Sequence, residues 1–255
     1  MSVERNQLQE YFDHLLNPSV FEDYAPNGLQ VEGKTTLKKV AFAVSATKNS
    51  LQESISWGAD ALVVHHGVFW KYQGPRTVTG PWGERIKLAV KNDLNLFAYH
   101  LPLDSHAEIG NAVSLAKKLG LTNLQPFALH KKQPMGTKGT FFPPIAASEL
   151  KKKCEIILSH QVLLASHDEK ELVNSMGIIT GGANNDWVKA MEDGLDAYLT
   201  GEISEYNWHD SIEANIHYFA GGHHATERFG IQALMEKVST DLKLEVKFFD
   251  SENPA

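Results

Sequence analysis

The sequence predicts an α/β protein of two lobes that share one pattern of construction. Three observations predict it. Short apolar runs such as KVAFAVS, ALVVHH, AYLT and IHYFA alternate with stretches of helical period along most of the chain. Such βαβ alternation implies largely parallel sheets covered by helices. The alternation lapses once, between Pro126 and Pro144, in the Gly/Pro/Lys-rich stretch HKKQPMGTKGTFFPP. That lapse reads as a junction between lobes at residues 1–126 and 127–255.

The elements follow in order. Leu8, Phe12 and Leu15 share one helix face after Ser2 as an N-cap. Gly28–Thr35 (GLQVEGKT) then matches the phosphate-loop pattern GxxxxGK[ST]. A phosphate loop works only between a strand and a helix, whose amides hold the phosphates. Here DYAPN precedes and the strand KKVAFAVS follows, and Glu32 would repel a phosphate, so the match is read as chance. Strand KVAFAVS leads to a helix over Lys48–Trp57, strand ALVVHH to a helix over Trp82–Asp93, and strand NLFAYH to a helix over Asn111–Leu119. Beyond the junction come a helix over Glu149–Leu158, strands QVLLAS and GIIT, a helix over Asp186–Asp193 and strand AYLT. A helix near Glu205–Ile212, strand IHYFA, a helix over Thr226–Leu242 and strand LEVKFFD complete the chain. The two halves share one syntax of apolar strand, small or polar residues, then helix.

At 255 residues the chain can bury a sizeable core, and its hydrophobic content of 42% and charged content of 22% are those of a globular protein. A net charge of −7 argues against a broad nucleic-acid footprint. No apolar run approaches the ~20 residues of a membrane span, and the N-terminus MSVERNQLQEYF lacks a signal peptide's apolar core. The single cysteine, Cys154, excludes an internal disulfide and a thiolate zinc cluster. These features predict a cytoplasmic protein.

Histidine departs from the ordinary: six of the 12 fall in three segments. ALVVHHGVF ends an apolar strand in His65 and His66 before a glycine. AYHLPLDSH ends a strand at His100, with Asp104 and His106 after Pro102. YFAGGHHATERFG turns through Gly221 and Gly222, and His223, His224 and Glu227 open a helix. His223 and Glu227 stand four apart and can project from one helix face. A parallel sheet gathers such groups at the carboxyl ends of its strands, where α/β proteins bind ligands. Imidazoles and carboxylates suit zinc, iron, nickel or manganese rather than calcium. One catalytic zinc takes three protein ligands. His65, His66, Asp104, His223 and Glu227 already make five, with His100 in reserve. Adjacent histidines tend to point apart, which suits two ions, with Asp104 or Glu227 as the bridging carboxylate. Ions about 3.5–4 Å apart can share a bridging hydroxide and polarise a substrate oxygen, the arrangement of metal-assisted hydrolysis.

HHGVFW, HLPLD, GGA at Gly181–Ala183, TGE at Thr200–Glu202 and GGHHATE together resemble the YbgI-like (Nif-three-like) dinuclear metal-centre family, also called GTP cyclohydrolase type 2 homologues. NGLQVEG at Asn27–Gly33 resembles that family's N-terminal signature. The resemblance spans nearly the whole chain. It implies two divalent metal ions per subunit on His65, His66, Asp104, His223 and Glu227, with Glu227 bridging and His100 in the same pocket. It also implies two related α/β lobes, with the metal site at strand ends between them, and a toroidal homohexamer.

Other stretches carry less. The glycines of ITGGANNDW can close a strand and its asparagines cap a helix, with pocket lining as the second reading. Glu202, Glu205 and His209 can reach the metals or shuttle protons; equally, Glu202 can be a helix-opening charge. Lys71, Arg76 and Arg228 can meet an anionic substrate or be surface cations. Trp70 and Tyr72 read as packing residues. The sequence thus points to a metal-dependent hydrolase of a small substrate, nucleotides among the candidates, with His100 or Asp104 relaying protons and Glu227 as a catalytic carboxylate. GTP ring-opening follows from the resemblance alone. A non-catalytic metal-binding or regulatory hexameric scaffold is the alternative, and direct DNA binding is disfavoured.

Overall fold

The computed structural model describes residues 1–255. The chain forms two compact units, Met1–Leu103 with Ile231–Glu252, and Asp104–Gly230 with Asn253–Ala255. The divide therefore does not fall at residue 126, where the sequence pattern predicts it.

The first unit begins with β1 (Val3–Glu4), α1 (Arg5–Leu16), β2 (Gly28–Val31), β3 (Thr36–Leu37) and β4 (Lys39–Ser45). It continues through α2 (Lys48–Trp57), β5 (Ala61–His66), α3 (Gly80–Lys91) and β6 (Asn95–Ala98), and the short α4 (Leu101–Asp104) ends at the first residue of the second unit. The second unit holds α5 (Asn111–Leu119), β7 (Thr122–His130), β8 (Gln133–Ala146), α6 (Ala147–Leu158), β9 (Leu163–Ala165) and β10 (Leu172–Ile178). It goes on through α7 (Trp187–Glu192), β11 (Ala197–Thr200), α8 (Glu205–Glu213), β12 (His217–Ala220) and α9 (His223–Thr226). Then α10 (Arg228–Leu242) returns the chain to the first unit, where β13 (Glu245–Phe248) closes it.

In the first unit a five-stranded sheet has the order β13-β4-β5-β6-β2. Its first four strands are parallel, and β2 pairs antiparallel with β6 at the edge. The interior of β4 and the first five residues of β5 are buried without alternation, as parallel strands covered on both faces require. Leu62, Val63 and Val64 are fully buried, each contributing about 1.5–3 kcal/mol of transfer free energy. Thr47 and Ser50 cap α2 reciprocally, and Gly58 ends it at φ 79°.

The second unit departs from the expected parallel sheet. Its six strands run β7-β8-β10-β11-β12-β9, and only β10, β11 and β12 are mutually parallel. β7, β8 and β9 are added antiparallel. The stretch expected to be a junction is the hairpin of β7 and β8. His130 pairs with Gln133 across Lys131 and Lys132, both at positive φ (47° and 72°). Two positive-φ residues make the tight turn that suits strand twist, and here lysines fill positions where Asn-Gly would have announced it. The pairing of β13 with β4 spans most of the sequence, and no local pattern marks it. These two features displace the divide from residue 126.

The phosphate-loop match dissolves in the structure. Gly28–Val31 is an edge strand, and no helix follows Thr35. Gly33 is needed for packing, since a Cβ there would lie 2.2 Å from the Asp93 carbonyl oxygen. Cys154 is buried in α6, and burial pushes its thiol up to about 12. No helix is long and apolar enough to cross a membrane.

Asp60 fastens the entry of the first sheet. Its carboxylate accepts from Lys34 Nζ at 2.7 Å and from the backbone N–H groups of Lys38 and Lys39 at 2.8 and 3.0 Å. Burial pushes the carboxyl up, but Lys34 and the two amides outweigh it and the pKa is lowered. A depressed carboxylate pKa stabilises the fold above the unfolded value of about 3.9, and that contribution is lost as pH falls through the folded value. Asp60→Asn is therefore expected to cost about 1–3 kcal/mol at neutral pH. In urea titrations the gap to wild type should narrow below about pH 4.

Candidate metal centre

Both units place polar residues where parallel strands end. In the first unit, β5 delivers His65 and His66, and His100 follows β6. His65, His66 and His100 each offer a nitrogen, and these atoms lie within 4.8 Å of one another. His65 is fully buried, and its Nδ1–H donates to the Tyr99 carbonyl oxygen at 3.1 Å. Since a carbonyl only accepts, Nε2 carries the lone pair. His66 Nδ1 meets Ser45 Oγ at 3.0 Å, and His100 Nδ1 donates to Asp23 Oδ1 at 2.7 Å. Engaging one ring nitrogen to orient the other is how proteins prepare histidine ligands. The His65 and His66 ring centroids are 4.6 Å apart, with the rings tilted by 45°. Trp70 packs against His66 and His100 at 5.7 and 5.2 Å between centroids, in keeping with its packing role.

Sequence reasoning missed the residues that hold this triad. Asp23 Oδ2 accepts from Asn27 Nδ2 and from the Leu101 N–H, both at 2.9 Å. Burial pushes the Asp23 carboxyl up, but His100, Asn27 and the Leu101 amide outweigh it and hold it at about 2. Asn27 Oδ1 accepts the His100 N–H at 2.8 Å. Gln30 Oε1 accepts the Val68 N–H at 2.9 Å, just beyond the His65-His66 turn. Asn27 and Gln30 belong to NGLQVEG, so that motif served as a signal without its purpose being legible. Nothing in the sequence marked Asp23.

In the second unit, Gly181 follows β10, Glu202 follows β11, and His223 follows β12. His223 Nε2 lies 3.3 Å from Glu227 Oε2, as their spacing of four predicted, and His223 Nδ1 lies 2.5 Å from Glu202 Oε1. Burial pulls the His223 pKa down, but Glu227 and Glu202 outweigh it and raise it to about 9. Two carboxylates around one imidazole favour a cation. Glu227 is 3% exposed, and Gly181 makes room for it. A Cβ at Gly181, which sits at φ +71°, would be 2.2 Å from Glu227 Oε1. Thr226 Oγ1 accepts the Gly181 N–H at 3.1 Å and donates to the His223 carbonyl at 3.0 Å. Asp104 Oδ1 accepts from Asn111 Nδ2 at 2.8 Å, and Asn111 Oδ1 accepts the Gly230 N–H at 2.7 Å.

Glu202 opens no helix, because α8 starts at Glu205 after the capping residue Ser204. Glu205 and His209 form an exposed pair on α8. Asn184 and Asn185 do not cap α7; they bond Ser204, Tyr206 and Asn207 around the start of α8. His106 Nδ1 accepts two backbone N–H groups in the turn before α5. Lys71 donates to the Asp23 carbonyl, Arg76 lies over the Trp82 ring, and Arg228 donates to the Leu158 carbonyl.

The donor sets, imidazoles in one unit and an imidazole with carboxylates in the other, fit borderline divalent metals. The sequence profile described as Duf34/NIF3 (NGG1p interacting factor 3) matches residues 3–254. A Pasteurella multocida protein named GTP cyclohydrolase 1 type 2 homolog is 42% identical over 249 residues, covering 98% of each chain. Its namesake in Escherichia coli K12 is 39% identical over 253 residues, covering 99% of this chain and all of its own. A solved structure titled protein ybgI, of unknown function, shares 38% identity at a TM-score of 0.93, covering 99% of this chain and 100% of that one. TTHA1606 from Thermus thermophilus shares 29% at a TM-score of 0.89, with the same coverage.

Proposed function

Because the chain belongs to the Duf34/NIF3 family, we propose that it binds two divalent metal ions and uses them to hydrolyse a small, nucleotide-like substrate. The observation that carries this reading is the oriented imidazole triad of His65, His66 and His100 at the ends of two adjacent parallel strands. His65, His66, Asp104, His223 and Glu227 are the proposed ligands, with His100 as a further donor and Glu227 bridging as the resemblance implies. For His100 the triad favours a donor role over the proton relay. Asp104, its Oδ1 held by Asn111, is then the carboxylate that passes the proton. Two such ions would polarise a substrate oxygen and make water nucleophilic at neutral pH. Glu202 holds His223 Nδ1 and so fixes which nitrogen faces Glu227. GTP enters as the first substrate to try because the curated relatives are named for it.

Metal-loaded protein should be tested on GTP, cyclic amides and phosphoesters, beside Glu227→Ala. Metal-dependent product, lost in the variant, is expected; no turnover of any of them would contradict the hydrolase reading. A second reading, a metal-binding regulatory scaffold, draws on the family description, which names an interacting factor. Both readings carry the homohexamer as a proposal, which light scattering in solution tests.

A further inference from the structure

We propose that His167, Glu171 and His217 form a second cation site, in the Asp104–Gly230 unit, that takes zinc. The three residues each offer a ligand atom, and these lie within 4.8 Å of one another. His217 opens β12, whereas His223 follows that strand's other end. Four residues of strand, about 13 Å, therefore separate this cluster from the strand-end ligands of the same unit.

Glu171 is the centre of the arrangement. Its Oε2 contacts His167 Nε2 and lies 3.2 Å from His217 Nε2. A tetrahedral ion with ligands about 2.0–2.1 Å away spaces its donors about 3.3 Å apart, so the second separation already suits a shared ion. His217 Nδ1 is bonded to Ser166 Oγ at 2.8 Å, which directs Nε2 toward Glu171 and supplies the outer-shell support that ligating histidines have. The His167 and His217 rings stack at 4.8 Å and 19°, so their donor edges run side by side. His217 is 1% exposed, while the Glu171 side chain is 51% exposed. The cluster thus has a fixed floor and a side open to solvent, from which an ion can enter and a water can complete the coordination.

Two imidazoles and one carboxylate are the donor set of catalytic zinc sites, and too few oxygens for calcium or magnesium. His167 and Glu171 sit in the turn between β9 and β10, and His217 lies on β12, so a bound ion would clamp that turn to the sheet. The site is independent of the proposed hydrolase centre and of its ligands.

The test is zinc stoichiometry of the full chain, stripped with chelator, reloaded with zinc alone and gel-filtered. His167→Ala and Glu171→Gln, both at exposed positions, are each expected to retain one zinc per chain fewer than wild type. Glu227→Ala should retain the zinc held at this cluster. Circular dichroism of the metal-free variants checks that the fold is kept. A folded His167→Ala protein that holds as much zinc as wild type would overturn the proposal. So would a folded Glu227→Ala protein that holds none.

Discussion

Gly181→Ala is expected to lower stability by about 2–5 kcal/mol and to sharply reduce metal content. The left-handed backbone at φ +71° costs an alanine about 1–2 kcal/mol. The overlap of its Cβ with Glu227 Oε1 at 2.2 Å adds about 1–3 kcal/mol of overpacking. Glu227 is nearly fully buried and cannot swing into solvent, so relief must come from moving the carboxylate away from His223. Gly182→Ala is the control: a Cβ there meets nothing nearer than 3.4 Å, so both stability and metal content should stay near wild type. Urea denaturation and elemental analysis of the pair separate the two cases. Equal behaviour would mean that the position of Glu227 does not matter.

Asp23→Asn is expected to weaken metal binding by about 10–100-fold, the usual cost of losing an outer-shell partner. The substitution keeps the volume but removes the charge that His100 Nδ1–H, Asn27 and the Leu101 amide all address. The His100 ring then loses the partner that fixes its tautomer and direction. Competition against a chromophoric chelator measures the change. Unchanged affinity would remove His100 from the metal-binding set.

The first sheet was legible because its information is local. KVAFAVS, ALVVHH and Lys48–Trp57 are elements whose ends carry their own signals, including Gly58 after the helix, and in the second unit Asn111–Leu119 ends the same way at Gly120. The strand-end histidines were legible for the same reason, since an apolar run that stops at a polar pair states where the sheet ends. What sequence reading missed is long-range. The β13–β4 pairing joins residues far apart in the chain, and the β7–β8 hairpin hides a tight turn under two lysines. Asp23 reaches His100 across 77 positions, and Asn27 reaches the His100 amide across 73. Gly181 looked like a strand terminator because its second task, leaving space for Glu227, exists only once α9 is folded.

Metal content per chain tests the central claim most directly. Purified protein, and protein reloaded after chelation, should be compared by elemental analysis with Glu227→Ala. The strand-end centre predicts about two transition-metal ions per chain from that site, clearly fewer in the variant. His167→Ala, measured in parallel, separates any zinc held at the His217 cluster. A chain that stays metal-free after reconstitution would contradict the account, leaving the histidines as structural residues and the hydrolase reading without a basis.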